Sequence, residues 1–435
     1  MNRKIKIGFT TLLLSGALSG QAFFERAFLP QPDNHNGRAL ALGGVSEGSA
    51  GNSDALTVNP ALLLAEGEGL TIFAKARGRQ LKERRSYPVV DTFNDFLADN
   101  VYVSNTTVTG DGGFGLTYSS DKWAVAASYT LNTTSNYDYK EEVRSSGYDY
   151  NRDPLAGYHA VEFASELQNM SFGAAYTIWK SWQAGFAISI LSGGNLSDGF
   201  GVIPIRKEPR LASQDSTFFP SEYSIDAVSD YHFGFSGELT SRLKLNASIS
   251  LPGELTQHEL KLITVMDSTL LLPNYQMLAD TFSTAVVQRP AVYRLGLRFI
   301  PENMLRTAVY AQVDFTDWSG YQIDYEDSQI EDFKPGYTMQ TTVRAGMEHL
   351  FHTGIPMRLG LSYINHPSAA TLNESIISFG SGYQSDKISL DVGAAISENS
   401  YRYNDLFPVT GEIRENKDTV RQSNILINLS LQYRW

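Results

Sequence analysis

The chain of 435 residues contains no cysteine. It can therefore form neither disulfides nor thiolate-ligated metal sites, and it cannot carry a lipid anchor on a cysteine. Long apolar runs are also missing, because nothing beyond the N-terminal region approaches the ~18 consecutive apolar residues of a membrane-spanning helix. We expect a fold that is held together by packing and hydrogen bonds alone.

Positive charge is scarce, since 35 lysines and arginines face 47 acidic residues and the formal net charge is -12. This acidity argues against nucleic acid as a partner. Three cations, Arg3, Lys4 and Lys6, precede an apolar run that ends at Leu18, and a small-x-small motif ends at Ala22. The pattern predicts a secretory signal peptide over residues 1–22.

Catalytic motifs are missing as well. The seven histidines are scattered, and the chain has no Gly-x-Ser-x-Gly, no His-Glu-x-x-His and no glycine-rich phosphate loop. Acidic residues cluster between Asp324 and Asp332, where a solvated loop is a simpler interpretation than a divalent-cation site. We expect no enzymatic activity, no cofactor and no metal ion.

The clearest positive signal is an alternation of apolar and polar residues at the C-terminus. Ile425, Ile427, Leu429, Leu431, Tyr433 and Trp435 occupy one face, and polar residues occupy most of the other. Such a strand can meet lipid on one side and a wet lumen on the other. Its terminal aromatic residue also resembles the signal that the barrel-assembly machinery reads. The alternative is an edge strand of a soluble β-sandwich.

Fourteen segments of this kind follow one another, and their connections alternate between tight and long. The first long connections cover residues 78–111, 135–159 and 195–230. An even strand number, short periplasmic turns and long outer loops are typical of transmembrane barrels. The sequence therefore predicts an all-β fold, an antiparallel fourteen-stranded barrel over residues 69–435 in the outer membrane.

Residues 23–68 are too apolar for a linker and predict an N-terminal plug, or hatch, with short helices. Asn59 can cap a helix over residues 60–66 that has Pro60 at its first position and ends at Gly67. Three consecutive leucines, 62–64, would be costly to leave in water. We expect this segment to pack inside the barrel mouth or against a partner.

At this point the chain resembles the FadL family of outer-membrane transporters for long-chain fatty acids and other hydrophobic compounds. The resemblance rests on the fourteen strands, the terminal aromatic residue and four motifs before the first strand: Gly37-Arg38-Ala39, Gly43-Gly44, Asp54-Ala55 and Asn59-Pro60-Ala61. It implies a hatch in the lumen, capture at the third and fourth outer loops, and lateral release through a wall defect at the third strand. Residues 123–134 contain neither glycine nor proline, so the sequence does not predict that defect.

The fourth outer loop, residues 264–290, supplies the first candidate binding site. An apolar stripe at helical spacing predicts a helix that binds an apolar ligand or packs on the third loop beside Phe218 and Phe219. The stripe consists of Tyr275, Leu278, Phe282 and Val286, and the apolar residues Leu271 and Leu272 precede it as part of the same candidate site.

Inward-facing cations supply the second candidate. The alternation turns Arg294, Arg298, Arg344 and Arg358 toward the lumen, where a guanidinium could pair with the carboxylate of a ligand. The alternative is that these arginines form salt bridges with Glu348, Asp314, Asp391 or the plug.

The leading functional hypothesis is passive uptake of a hydrophobic small molecule such as a long-chain fatty acid. A second is a non-transporting barrel that resembles the PorV type and serves as a docking or shuttle component of a secretion system. An open diffusion porin is disfavoured by the apolar plug. The expected partners are the hydrophobic ligand, outer-membrane lipid and the barrel-assembly machinery; the substrate, exit route and oligomeric state stay open.

Overall fold

The computed structural model describes residues 35–65, 67–93, 95–144, 154–206, 217–261, 265–266, 274–275, 282–302, 306–326, 332, 334–403 and 418–435. The predicted signal peptide lies outside these residues.

The alternating segments form one closed antiparallel sheet. Seventeen strand segments take part, and β1 pairs with both β2 and β19. Three barrel strands each consist of two segments, β7 with β8, β11 with β12, and β13 with β14, so the predicted fourteen-stranded barrel is confirmed. The segments are β1 Gly69–Val90, β2 Phe96–Ser119, β3 Trp123–Arg144, β4 Leu155–Trp179, β5 Trp182–Pro204, β6 Thr217–Thr240, β7 Leu243–Leu251, β8 Leu255–Lys261, β9 Val265–Met266, β10 Asn274–Tyr275, β11 Phe282–Gln288, β12 Val292–Phe299, β13 Arg306–Thr316, β14 Gln322–Tyr325, β15 Gln340–Leu350, β16 Pro356–Ile364, β17 Glu374–Gln384, β18 Ile388–Tyr403 and β19 Asp418–Arg434.

The outer surface of the barrel carries an apolar belt. On β19, Ile427, Leu429 and Leu431 are about half exposed, whereas Asn428 and Ser430 between them are buried against the lumen. Other strands also expose apolar side chains on the outward face, as at Phe172 and Leu361. This arrangement is the reverse of that in a soluble protein, where apolar side chains are buried. A closed barrel with apolar side chains outside and polar ones inside is built to span a membrane.

The barrel wall is uneven in height. The six strands β1 to β6 are 22 to 25 residues long, whereas β15, β16 and β17 have only 9 to 11. The predicted loops 78–111, 135–159 and 195–230 are therefore wrong for most of their length, because the described residues there continue as hairpins. Beyond the belt the outward face of a strand meets water instead of lipid, so the apolar alternation that marks a transmembrane strand disappears. We call the end with these hairpins the outer end.

The hatch consists of four short helical turns inside the barrel: helix α1 (Gly37–Ala41), the 3-10 helix Ser46–Ser49, helix α2 (Ala55–Val58) and the 3-10 helix Pro60–Leu64. Asn59 caps the last turn as predicted, with its side chain accepting from the Ala61 N–H, although this helix is 3-10 and shorter than predicted. Among the described residues, no helix is long and apolar enough to cross a membrane.

Small wall residues let the hatch approach closely. Leu62 and Leu63 are fully buried in an apolar cluster that includes Ala124, Ala175 and Ala187 of the wall. A Cβ atom at Gly185 would collide with the backbone between Pro60 and Ala61. The apolar plug residues thus avoid water by packing inside the barrel.

Candidate ligand conduit

Three neighbouring barrel strands are interrupted at one height. The breaks cover residues 252–254, 289–291 and 317–321. Below them Val292 pairs with Ser250 and Thr316, and above them Val287 pairs with Leu255 and Ile323, so the breaks line up in register. Two of the breaks contain a proline, Pro252 or Pro290, which cannot donate to the ladder. The segments above the breaks, β8, β11 and β14, are called the outer lobe.

The outer lobe and the inner faces of β4, β5 and β6 share one buried apolar cluster. No charged side chain belongs to it. These strands are neighbours in the wall, and their inward-facing side chains line the lumen at the outer end. This outer apolar cluster consists of Leu167, Leu191, Leu196, Ile225, Val228, Leu255, Ala285, Val287, Trp318, Tyr321, Ile323 and Tyr337.

Three aromatic rings form one side of the outer apolar cluster. Trp318 meets Tyr321 and Tyr337 edge-on at centroid distances of 5.4 and 6.2 Å, and the two tyrosines stack at 5.8 Å. The Trp318 indole N–H donates to Gln340 Oε1 at 3.1 Å. Burial raises the pKa of Tyr321 and of Tyr337 because a phenolate would lose its water there. The rings therefore present neutral, mostly apolar surface.

A charged pair fastens the outer lobe to the wall. Arg289 Nη2 lies 2.5 Å from Asp230 Oδ1 on β6, and the Arg289 guanidinium also donates to the Gly253 carbonyl at 2.9 Å. The Gly253 N–H donates back to Asp230 Oδ1 at 3.1 Å. Two of the three breaks are thereby joined through one carboxylate.

A row of hydrogen-bonded polar side chains runs along the inner face of the wall, from strand to strand, directly below the outer apolar cluster. Ser171 bonds Ser189 at 2.7 Å, and His232 bridges Ser189 and Ser250 at 3.0 Å each. Arg294 Nη1 donates to Ser250 Oγ at 2.9 Å. Within the described part of the chain, Arg294 has no carboxylate at salt-bridge distance and is only half-buried.

The other predicted lumen arginines confirm the salt-bridge alternative. Arg344 Nε lies 2.8 Å from Asp314 Oδ2, and Arg358 contacts Glu348 Oε2 and Asp391 Oδ1 at 2.5 and 2.8 Å. Arg298 Nη1 lies 3.7 Å from Glu47 Oε1 of the hatch. These three cations are therefore engaged by carboxylates of the wall or the hatch.

The predicted helical stripe is wrong where the structure describes it. Phe282 and Val286 lie on strand β11, and Tyr275 lies on β10. Val286 is half-buried on the face opposite to Ala285 and Val287, which enter the outer apolar cluster. Leu271, Leu272 and Leu278 lie outside the described residues.

Phe218 and Phe219 are part of strand β6, where they pair with Gly201 and Phe200 of β5, and not of a loop. The sequence contains only a weak indication that this part of the predicted loop is a strand whose side chains enter the outer apolar cluster. The β-branched residues of Val286-Val287 and the nearby Pro290 favour strand over helix.

The wall separates between β2 and β3. The two strands pair only from Gly112 opposite Leu131 to Ser119 opposite Ala124. Beyond Gly112, β2 continues beside β1, and β3 continues beside β4 with a register shift after Thr133. The sequence of the third strand did not predict this defect, because the glycines at the seam, Gly110 and Gly112, belong to β2.

Comparison with known proteins gives structural matches only. No protein-family model matches the chain, and no curated protein sequence matches it. A Pseudomonas aeruginosa FadL homologue superposes with a TM-score of 0.61 at 14% identity, covering 93% of this chain and 99% of that one. The P. putida toluene transporter TodX and the Ralstonia pickettii toluene transporter TbuX give 0.59 and 0.57 at 13% and 15% identity, with the same coverage. The chain therefore has the fold of these proteins.

Among the described residues, no group of three metal-ligating side chains is close enough to hold an ion.

Proposed function

We propose that the chain is an outer-membrane channel for the passive uptake of hydrophobic small molecules. The observation that carries this proposal is the outer apolar cluster, which places uncharged side chains inside the lumen at its outer end. An apolar molecule that inserts there exchanges water for apolar contact, worth about 0.8 kcal/mol for each buried CH2. The structurally similar proteins include transporters of toluene, a compact apolar molecule.

The row of polar side chains below the cluster suits a ligand with an anionic end, such as a long-chain fatty acid. The Arg294 guanidinium offers a fork to a carboxylate while the alkyl chain lies among the apolar side chains above. A neutral hydrocarbon needs no such group. The two ligand classes can therefore be separated by one substitution.

The seam between β2 and β3 supports a lateral exit into the membrane. The hatch lies in the lumen with its leucines packed on the wall, and we infer that it obstructs the direct path along the barrel axis. The described ladder between the two strands ends at Gly112, so less backbone pairing holds the wall together beyond that point.

The test is equilibrium binding of a fluorescent fatty acid and of toluene to the purified barrel. Val287→Asn introduces a buried amide into the outer apolar cluster and should weaken both ligands at least tenfold, while Ile203→Asn, on an exposed position of β5, should not. Heat-modified gel mobility checks that the variants are folded. Unchanged affinity in folded Val287→Asn would contradict the proposal.

Arg294→Gln separates the substrate classes. It should weaken the fatty acid about tenfold, through the loss of one charge-assisted contact, and leave toluene unaffected. If both ligands keep their affinity, the fatty-acid hypothesis fails while the hydrocarbon hypothesis stands.

The alternative function, a docking or shuttle component of a secretion system, is supported by the tip of the β1–β2 hairpin. Phe93, Phe96 and Leu97 are 86, 63 and 61% exposed there, which is an apolar surface that a protein partner could cover. Replacing all three by serine should abolish complex formation under this alternative and leave ligand uptake unchanged under the transport proposal.

A further inference from the structure

A group of cations lies on the outward face of the wall just beyond the apolar belt. Lys82 and Arg84 continue the lipid-facing row of β1, Arg421 continues that of β19, and Arg402 continues that of β18. All four side chains are exposed. Their position is unexpected in a chain with a net charge of -12.

The strand register brings these cations together. Arg84 is directly opposite Arg421 across the β1–β19 ladder, and Lys82 is the next outward residue below Arg84. Arg402 is opposite Thr419, which makes it a diagonal neighbour of Arg421. Directly opposed side chains have Cβ atoms roughly 5 Å apart and diagonal ones about 7–8 Å. The four positive charges therefore share one patch of wall.

Nearby carboxylates neutralise this patch only in part. Arg421 Nη2 lies 3.8 Å from Asp99 Oδ2, and Glu398 is exposed on the same face of β18. Within the described part of the chain, Lys82, Arg84 and Arg402 make no ion pair. Like charges directly opposed across a ladder are unfavourable unless an anion lies between them.

The height of the patch matches the position of lipid headgroups. Twelve residues separate Lys82 from Leu70, which is at the other end of the outward row of β1. At ~3.3 Å per residue and a tilt of about 40°, Lys82 lies roughly 30 Å above Leu70, just beyond an apolar band ~25 Å tall. The outward row between them is uncharged, so the cations begin where the acyl chains end.

Hydroxyl groups complete the patch. Ser104 and Thr106 of β2 are opposite Arg84 and Lys82, and Ser423 of β19 is opposite Lys82 on the other side. Guanidinium forks surrounded by hydroxyl donors recognise phosphate oxygens. We propose that this patch binds the phosphate groups of a phosphorylated lipid headgroup in the outer leaflet, whose acyl chains lie along the belt of β1, β18 and β19.

The test compares hexa-acylated lipid A, chemically dephosphorylated lipid A and inorganic pyrophosphate as probes for the detergent-purified full chain. The variant Arg84→Gln/Arg421→Gln should bind lipid A at least tenfold more weakly, since each cation near an anionic lipid contributes about fivefold. The matched control is Lys140→Gln/Arg144→Gln. It removes two cations from strand β3, where each already lies beside a carboxylate, Asp138 or Glu142. This control should keep the affinity of the unchanged protein.

Three results would overturn the proposal: equal lipid A affinity in the folded variant, equal affinity of the unchanged protein for dephosphorylated lipid A, or pyrophosphate binding as tight as lipid A. The last would assign the patch to a soluble phosphate. If Arg84→Gln/Arg421→Gln fails to fold, Lys82→Gln/Arg402→Gln provides the same comparison without touching the opposed pair. Toluene binding in these variants should not change, so the outcome is independent of the transport proposal.

Discussion

Asn59 connects the hatch to the wall with a single side chain. Its Oδ1 accepts from Ala61 N at 3.1 Å, and its Nδ2 lies 3.3 Å from the carbonyl oxygens of both Phe235 and Ala247. Asn59→Ala removes a helix cap and should destabilise this turn by about 1–2 kcal/mol. Hydrogen exchange of the backbone amides of residues 61–64 should become correspondingly faster.

Asn100→Ala is the control, because Asn100 contacts only the exposed hairpin partner Tyr87 among the described residues. Equal exchange in both variants would remove Asn59 from its anchoring role.

The local stability of the segment around His366, at the outer end of the barrel, should depend on pH. Burial lowers the pKa of His366 to about 4, and the Ser368 N–H donates to its unprotonated Nδ1 at 3.3 Å. The fold thus favours the neutral ring, and the unfolded segment takes up a proton first, near pH 6.5. Local stability should therefore be constant above about pH 6.5 and decrease as the pH falls from there toward 4.

The measurement is hydrogen exchange at the 3-10 helix Ala370–Leu372 as a function of pH, corrected for intrinsic rates. His366→Gln should flatten the profile. A profile that keeps its slope in this variant would contradict the assignment.

At the scale of single residues, the sequence predicted chemistry that depends on near neighbours. The Asn59 cap needs only the next two residues, and the inward direction of Arg344 and Arg358 needs only alternation. The role of Arg294 was not predictable, because Asp314, which is opposite Arg294 in the ladder, is engaged by Arg344 of another strand.

Among the structural elements, the outer lobe depends most on one contact. Arg289→Gln removes a charge that is buried beside Asp230 and leaves that carboxylate without its cation, at a cost of about 3 kcal/mol. We expect faster hydrogen exchange in Leu255–Lys261 and Phe282–Gln288 but not in Val292–Phe299 below the break.

Arg242→Gln is the matched control, since Arg242 pairs with Glu302 at an exposed turn. If both variants leave exchange in the outer lobe unchanged, the charged pair does not fasten it.

Element types were predictable wherever one face of the strand meets lipid. The alternation predicted from Ile425 onward lies on the observed strand Asp418–Arg434. The prediction of element type failed for Phe282–Gln288, where apolar residues three and four apart imitate a helix although the chain pairs with strands on both sides. Long-range pairing decides such cases, and a local pattern does not contain it.

At the scale of the whole molecule, ion pairs hold the hatch from different sides of the wall. Lys75 of β1 lies 2.8 Å from Asp54, Lys244 of β7 lies 3.1 Å from Glu47, and Glu348 of β15 lies 2.9 Å from Arg38. We expect the intact channel to stay closed to ions in planar bilayers. Glu47→Gln/Asp54→Asn should increase the frequency of open events at least tenfold.

Glu302→Gln/Asp386→Asn, which changes two exposed acids at the turns, is the control for net charge. Identical recordings for both double variants would show that packing alone retains the hatch.

Closure of the barrel was predictable because the even strand count and the two-sided alternation follow from backbone geometry. The outer apolar cluster was not, because it needs breaks in three separate strands to coincide in register. Nor was the seam, since β2 and β3 are continuous strands and only their mutual pairing ends.

The unequal strand lengths also decide from which direction the molecule can be reached. A difference of about twelve residues corresponds to roughly 40 Å along a strand. The rim is therefore oblique, low above β15 to β17 and high above β1 to β6. The high side of the rim shields the lumen from large molecules at the cell surface, whereas the low side leaves it accessible. Antibodies or carbohydrate chains bound on the low side would therefore obstruct the access of a ligand to the lumen far more than those on the high side.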